Sequence, residues 1–287
     1  MKELKTSLSY ISVYYASSNW DKLLDETDRI LQSMYPEMKW FFLFLDKQGG
    51  DAIKMIFELN DEDKKAFELS FFQLIDVFLK KHPSRRLKKN HIPGTYLWEL
   101  RPNNAIKVGY FKSGKDFLDY ENQSFLDSGL VHFACCVSQF IIKAAVCSKN
   151  IIDTYTFTLL LLLNGRPILH SPAIFADLLE EVTIQSEFYE QSEILREIYA
   201  YAATDMIVNH RNFHYFIFDP GNSEYLKDHE KKIMLAMNSC YEKESNAVSA
   251  FRLMIKIITD HFGIDYPKQL YVLKLFHFFF LETSGVV

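Results

Sequence analysis

Residues 40–59, WFFLFLDKQGGDAIKMIFEL, carry the pattern that decides the fold. Two apolar runs, 40–45 and 52–59, flank a polar turn centred on residues 49–50. The turn holds two adjacent glycines, which adopt positive φ without a steric clash, and both runs are rich in aromatic and β-branched side chains. We therefore predict two antiparallel strands joined as a hairpin. Because the first run is almost entirely apolar, we expect it at the centre of a sheet, not at its edge.

The segments around the hairpin extend the sheet and add helices. Residues 9–16 alternate in polarity and are aromatic or β-branched, which predicts a strand, whereas 20–34 carry an apolar stripe typical of a helix. Residues 61–81 begin acidic and end basic, an order that the helix dipole favours. Two further strands are predicted at 95–99 and 105–111.

The second half of the chain has helical periodicity with short breaks. The predicted helices are 130–146, 174–184, 187–208, 227–241, 245–262 and 269–281. Gly263 follows one of them at the position of a helix C-cap. We find no internal repeat and no low-complexity linker. The fold class is therefore α+β, with an antiparallel sheet from the N-terminal half and a mainly helical C-terminal half in one domain, 1–287.

Composition excludes several classes of protein. The chain has 287 residues, is about half hydrophobic and carries a net charge of −5, which argues against a general nucleic-acid binder. No apolar run approaches the ~20 residues that a bilayer-spanning helix needs, and the N-terminal residues contain no signal-peptide core. The four cysteines lack the spacing of a disulfide framework, so we expect a cytoplasmic protein.

One dense basic segment, residues 80–94 (KKHPSRRLKKNHIPG), follows the second predicted helix. Charge runs are commonly solvated loops, and that interpretation stays open. The alternative is a docking patch for an acidic peptide. Its candidate binding residues are Arg85, Arg86, Lys88 and Lys89.

The hairpin resembles that of the thiopeptide-type bacteriocin biosynthesis proteins, the family that includes the C-terminal elimination domain of lantibiotic dehydratases. The family pattern is W-F-F-I-R-Y, a short turn, then H-L-R-L-R-F. It is matched by Trp40, Phe41, Phe42, Leu43 and Phe57. Phe44 stands where the family has its first arginine, and Lys54 and Ile56 stand at the paired arginines. With Glu58, Lys54 interrupts the apolar second strand, which indicates a face that meets solvent or a ligand.

Two more segments carry the resemblance. Residues 119–129 (DYENQSFLDSG) are similar to the family's Y-E-P-E-x-Y-x-Y-G-G segment, which precedes a helix. The matches are Tyr120, Glu121, Phe125 and Gly129. The family's catalytic histidine lies on a helix with the motif H-M-x-x-N-R-L-x-G, and residues 249–263 stand at this helix. Counting back from Gly263 aligns that histidine with Ile255. A small insertion brings Arg252 to the same place.

The resemblance implies a reaction other than glutamate elimination. Glutamate elimination needs cations for the departing carboxylate and a base for the α-proton. Phe44 cannot hold a carboxylate, and Ile255 cannot accept a proton. Stand-alone members of the family include pyridine synthases, which join two dehydroalanines of a modified precursor peptide in a formal [4+2] aza-cycloaddition and release water and the leader peptide. Such chemistry requires no cofactor. His210 and His214 have metal-ligand spacing but lack a third ligand, so we expect no metal site.

Candidate catalytic residues follow from the matched segments. They are Tyr120, Glu121, His132, Ser249 and Arg252. In these positions a tyrosine, a carboxylate and an imidazole are able to polarise an amide or move a proton. Each also has a structural interpretation: a helix cap for the first two, a structural histidine, and a solvated helix face for the last two.

Three functions therefore stand side by side. The first is a pyridine synthase whose partner is a precursor peptide with an acidic leader and a core of dehydroalanines and azoles, other biosynthetic enzymes remaining open as partners. The second is a divergent glutamate-elimination subunit that acts beside a separate glutamylating enzyme. The third is a non-catalytic scaffold that binds the precursor peptide.

Overall fold

A computed structural model gives the arrangement of the chain and describes residues 6–35, 41–46, 51–85, 103–109, 129–146, 155, 158–159, 172–187, 224–243, 247–264 and 266–283. These residues belong to two compact units. The first comprises Met1–Ile151 with Asp260–Gly263, and the second comprises Ile152–Thr259 with Ile264–Val287. The single domain expected from the sequence stays a prediction.

The first unit contains a four-stranded antiparallel sheet and helices. Its elements are β1 Thr6–Tyr14, α1 Trp20–Met34, β2 Phe41–Asp46, β3 Ala52–Asn60, α2 Asp61–Lys81, β4 Ala105–Val108 and α3 Gly129–Val146. The predicted hairpin, the three predicted helices 20–34, 61–81 and 130–146, and the α+β class are confirmed. The predicted first strand is displaced by two to three residues, and the predicted strand at 95–99 lies outside the described residues.

The order of the strands corrects one expectation. The sheet runs β2-β3-β1-β4, so β2 lies at an edge and not at the centre. Its first five residues are nevertheless buried. The apolar composition of this run therefore indicated burial correctly but position wrongly.

Side chains from two helices, α3 and α6 (Ala247–Phe262), explain how an edge strand is buried. The backbone N–H of Leu43 donates to Oγ of Ser138 at 3.0 Å, and that of Phe41 donates to the thiol of Cys135. The imidazole of His261 donates to the carbonyl of Leu43. Side chains thus provide the hydrogen bonds that a neighbouring strand normally makes.

One face of the sheet packs against α2. Phe57 of β3 meets two rings of that helix, Phe67 and Phe71, with centroids 4.8 and 5.5 Å apart. On β1, Ser9 donates to a carboxylate oxygen of Glu68 at 2.8 Å. Because side chains alternate along a strand, the neighbouring residues of β1 point to the opposite face.

The described part of the second unit is helical. Its elements are α4 Pro172–Glu187, α5 Glu224–Lys243, most of α6 Ala247–Phe262, and α7 Tyr266–Thr283. Phe175 of α4 packs against Phe251 of α6 and Phe276 of α7, with centroids 6.2 and 6.0 Å apart. The last turn of α6 belongs to the first unit, and Gly263 ends that helix at φ +58°, which confirms the predicted C-cap. The helix predicted at 187–208 lies outside the described residues.

Among the described residues, no helix is both long and apolar enough to cross a membrane.

Candidate functional site

The sheet face opposite α2 carries polar and aromatic side chains. Along β1, alternation places Tyr10, Ser12 and Tyr14 on this face. The strand register sets Lys54 of β3 beside Ser12 on one side and Lys107 of β4 on the other. These five residues are called the polar face below. They combine two cations with two half-buried phenol rings.

The cation at the centre of the polar face is held by an ion pair. Nζ of Lys54 lies 2.6 Å from a carboxylate oxygen of Asp46, and the two side chains are only 17% and 19% exposed. A second pair of the same chemistry, Lys143 with Asp28, joins α3 to α1 and is 12% and 18% exposed. Taking such pairs out of water costs about as much as their attraction returns, so neither is explained by stability alone.

The two positions that the resemblance aligns with an arginine and the catalytic histidine of glutamate elimination are occupied by apolar core residues. Phe44 is paired with Lys54 across the sheet and is 5% exposed, its ring lying 4.4 Å from that of His261. Ile255 of α6 is buried as well. Burial lowers the pKa of His261 to about 3, so this imidazole is neutral throughout the physiological range. It contacts Ser138 at 3.0 Å and has a structural role at the edge of β2.

His132 lies in the first turn of α3, where its side chain is exposed. Its Nε2 is 3.9 Å from the sulfur of Cys136, one turn further along the helix. Burial raises the pKa of the neighbouring Cys135 thiol to about 12, so that residue is an inert thiol of the core. Because its side chain is exposed, His132 is accessible to a substrate and stays a candidate proton carrier.

Ser249 and Arg252 lie one turn apart on α6. Ser249 is exposed, and Arg252 contacts a carboxylate oxygen of Asp177 on α4 at 3.5 Å. Within the described part of the chain, Nε of Arg252 is buried and has no hydrogen-bond partner. The structure thus brings these two candidates together on one helix.

The other candidates are only partly described. Arg85, in the first half of the basic segment, is exposed. Tyr120, Glu121, Arg86, Lys88 and Lys89 lie outside the described residues, as do His210 and His214. Their roles stay predictions.

A buried serine, Ser84, anchors one point of the basic segment. Oγ of Ser84 accepts the backbone N–H of Ala16 at 3.0 Å and donates to Oδ1 of Asn104 at 2.9 Å. The side-chain amides of Asn103 and Asn104 each donate to the carbonyl of Ser84 at 3.0 Å. These hydrogen bonds hold Ser84, and with it the neighbouring Arg85, close to the end of β1.

No group of three or more histidine, cysteine, aspartate or glutamate residues in the described ranges is arranged to hold a metal ion.

Comparison with solved structures finds the fold of a pyridine synthase. One solved structure that matches is TbtD, the pyridine synthase from thiomuracin biosynthesis, which aligns over 98% of this chain and 99% of its own with a TM-score of 0.65. The two sequences are 14% identical, so the likeness shows the fold, and it confirms at that level the resemblance inferred from the three segments. No family model matches the chain, and no curated protein matches it.

Most of the polar face was missed by the sequence argument, which singled out only Lys54. The alternation of residues 9–16 was the available signal, because it places Tyr10 and Tyr14 on one side of a strand. The register of the strands decides which residues of β3 and β4 lie beside these tyrosines. The sequence does not reveal this register, because the paired strands are far apart in the chain.

Proposed function

We propose that this protein is a thiopeptide pyridine synthase. It joins two dehydroalanines of a modified precursor peptide in a formal [4+2] aza-cycloaddition. One dehydroalanine supplies two carbons; the other supplies two carbons, and its adjoining amide, as the iminol, supplies the remaining carbon and nitrogen of the ring. Loss of water and of the leader peptide as its amide then gives the pyridine and closes the macrocycle.

The observation that carries this proposal is the likeness to TbtD along nearly the whole of both chains. A likeness of this extent includes the sheet and the helices together, not one common motif. The core residues Phe44 and Ile255 favour this reaction over glutamate elimination, because each fills a position where elimination needs a charged or basic group. Both side chains are buried, so neither position is available to a substrate.

The proposed reaction makes modest demands on side chains. Its largest requirement is to bring two segments of one peptide together, and proximity and orientation alone supply about 7–11 kcal/mol in favourable cases. Proton transfers to and from the amide oxygen and the departing leader amide complete it. We assign these transfers to Tyr120, Glu121 and His132. Ser249 and Arg252 of α6 stay candidate catalytic residues.

The leader peptide has a separate proposed binding site. We assign it to Arg85, Arg86, Lys88 and Lys89, whose charge attracts an acidic leader. Reversing all four charges to glutamate is expected to weaken binding of an isolated leader peptide by more than tenfold at low salt, with a smaller loss at high salt because ions screen exposed charges. Leader affinity equal to that of the wild type would remove this assignment.

Mass spectrometry of a fully dehydrated, azole-bearing linear precursor tests the function directly. Incubation with this protein alone is expected to release the leader and to give a macrocycle lighter by one water and the leader amide. Conversion of a glutamylated precursor to dehydroalanine without ring formation would instead identify an eliminase. An unchanged mass with both precursors, although the leader still binds, would identify a scaffold.

A further inference from the structure

We propose that the polar face binds the core segment of the precursor peptide, with azole rings against Tyr10 and Tyr14 and a peptide carbonyl at the ammonium of Lys54. The identity of this ligand rests on the proposed function. The binding chemistry rests on the residues of the sheet: two half-buried aromatic rings flank one cation whose side chain is 17% exposed.

The spacing of the polar face suits an extended peptide. Lys54 is paired with Ser12, so Tyr10 and Tyr14 are its two diagonal neighbours, each about 7–8 Å away along the sheet. The two tyrosines are four residues apart on one strand, a separation of about 13 Å. A peptide lying along β1 in an extended conformation repeats that distance every four residues. Rings at such positions therefore face both tyrosines while the backbone between them passes Lys54.

The surroundings of Lys54 strengthen its interaction with a carbonyl. Asp46 fixes the ammonium at 2.6 Å, and both side chains are more than four-fifths buried. A charge held in place in such partly dry surroundings attracts a carbonyl dipole more strongly than it does in water. Lys107 lies beyond Ser12 in the same row of paired residues and adds a second, exposed cation. Stacking of a ligand ring on Tyr10 or Tyr14 adds a favourable aromatic contact.

The chain contains a matched control. Lys143 with Asp28 has the same chemistry and nearly the same burial as Lys54 with Asp46, but it lies between α1 and α3 and outside the polar face. Removing either lysine takes the ion-pair partner from one carboxylate whose side chain is less than one-fifth exposed. The structural cost of the two changes is therefore similar, and only the change at Lys54 affects the proposed site.

Fluorescence anisotropy with two labelled probes tests the proposal. One probe is a leaderless linear peptide with two thiazoles and two dehydroalanines, and the other is the isolated acidic leader. Lys54→Met is expected to weaken binding of the leaderless peptide by about tenfold and to leave leader binding unchanged. Lys143→Met is expected to change neither, and Tyr14→Leu to weaken binding of the leaderless peptide by about fivefold. Lys54→Arg, which keeps the charge, is expected to restore most of the affinity.

Three results would overturn the proposal: a wild-type protein that does not bind the leaderless probe, a Lys54→Met variant within twofold of the wild type, or an equal loss in Lys143→Met. If Lys54→Met does not fold, the affinities of Tyr14→Leu and Lys54→Arg for the leaderless peptide decide the test. Lys54-dependent binding without a cyclised product would keep this inference and remove the synthase. Cyclisation by the wild type, together with binding that does not depend on Lys54, would keep the synthase and remove this inference.

Discussion

The two edge strands of the sheet differ in exposure: β2 is buried, whereas the end of β4 is exposed. β2 is buried along its first five residues, because Ser138, Cys135 and His261 occupy the hydrogen-bonding groups of its backbone. β4 is short, and its last two residues are exposed. An edge that is apolar invites pairing with another chain unless something covers it. Side chains from helices are therefore able to make the backbone hydrogen bonds of an edge strand. Such a strand has the apolar sequence that is expected of a central strand.

A glycine with positive φ beside each edge offers the strongest test of this difference. A Cβ on Gly263 would lie 1.5 Å from the carbonyl oxygen of Leu45 in β2, whereas a Cβ on Gly109, next to β4, would have nothing within 4 Å. We expect Gly263→Ala to lower the free energy of unfolding by about 3–5 kcal/mol, since a backbone clash adds to the cost of positive φ. Gly109→Ala, at φ +135°, bears only the conformational cost, about 1–3 kcal/mol. Denaturant unfolding measures both, and equal losses would show that the close contact with β2 is unimportant.

A smaller effect is expected at the serine that covers β2. Ser138→Ala leaves the N–H of Leu43 and Nδ1 of His261 without their partner in a buried region, so the free energy of unfolding should fall by about 2–3 kcal/mol. Lys107→Ala on the exposed edge is the control, with a change within about 0.5 kcal/mol. Comparable losses in urea titrations of the two variants would contradict the proposed role of Ser138.

The pH dependence of stability gives the smallest and most selective test. His261 has a pKa of about 3 in the folded protein because it is buried, whereas a histidine in an unfolded chain titrates near 6.5. Between these values the unfolded state binds a proton that the folded state does not, so stability is lost as the pH falls below about 6.5. For this one group the loss at pH 5 is about 2 kcal/mol relative to pH 8. In His261→Asn that component should be absent, and parallel stability curves for the two proteins would contradict it.

Local structure was predicted well because local rules control it. Helices α1 and α2 begin and end where the apolar stripes and terminal charges indicated, and both strands of the hairpin formed at the aromatic runs. Position in the sheet was predicted wrongly for β2. Its burial comes from Ser138 and His261, which are about 95 and 218 residues further along the chain.

The candidate site divides in the same way. Lys54 was conspicuous because a charge in an apolar strand interrupts a local pattern. Its partners Asp46, Tyr10 and Tyr14 show no such interruption and became part of the site only through the strand register.

The sequence by itself determined which segments become helices and strands, since this depends on residue type and on neighbours a few positions away. Only the tertiary structure decided which strand lies at the edge and which side chains share a face with Lys54. Those outcomes depend on hydrogen bonds and packing between residues far apart in the chain, and one residue of slip in a strand would reverse every side chain on it.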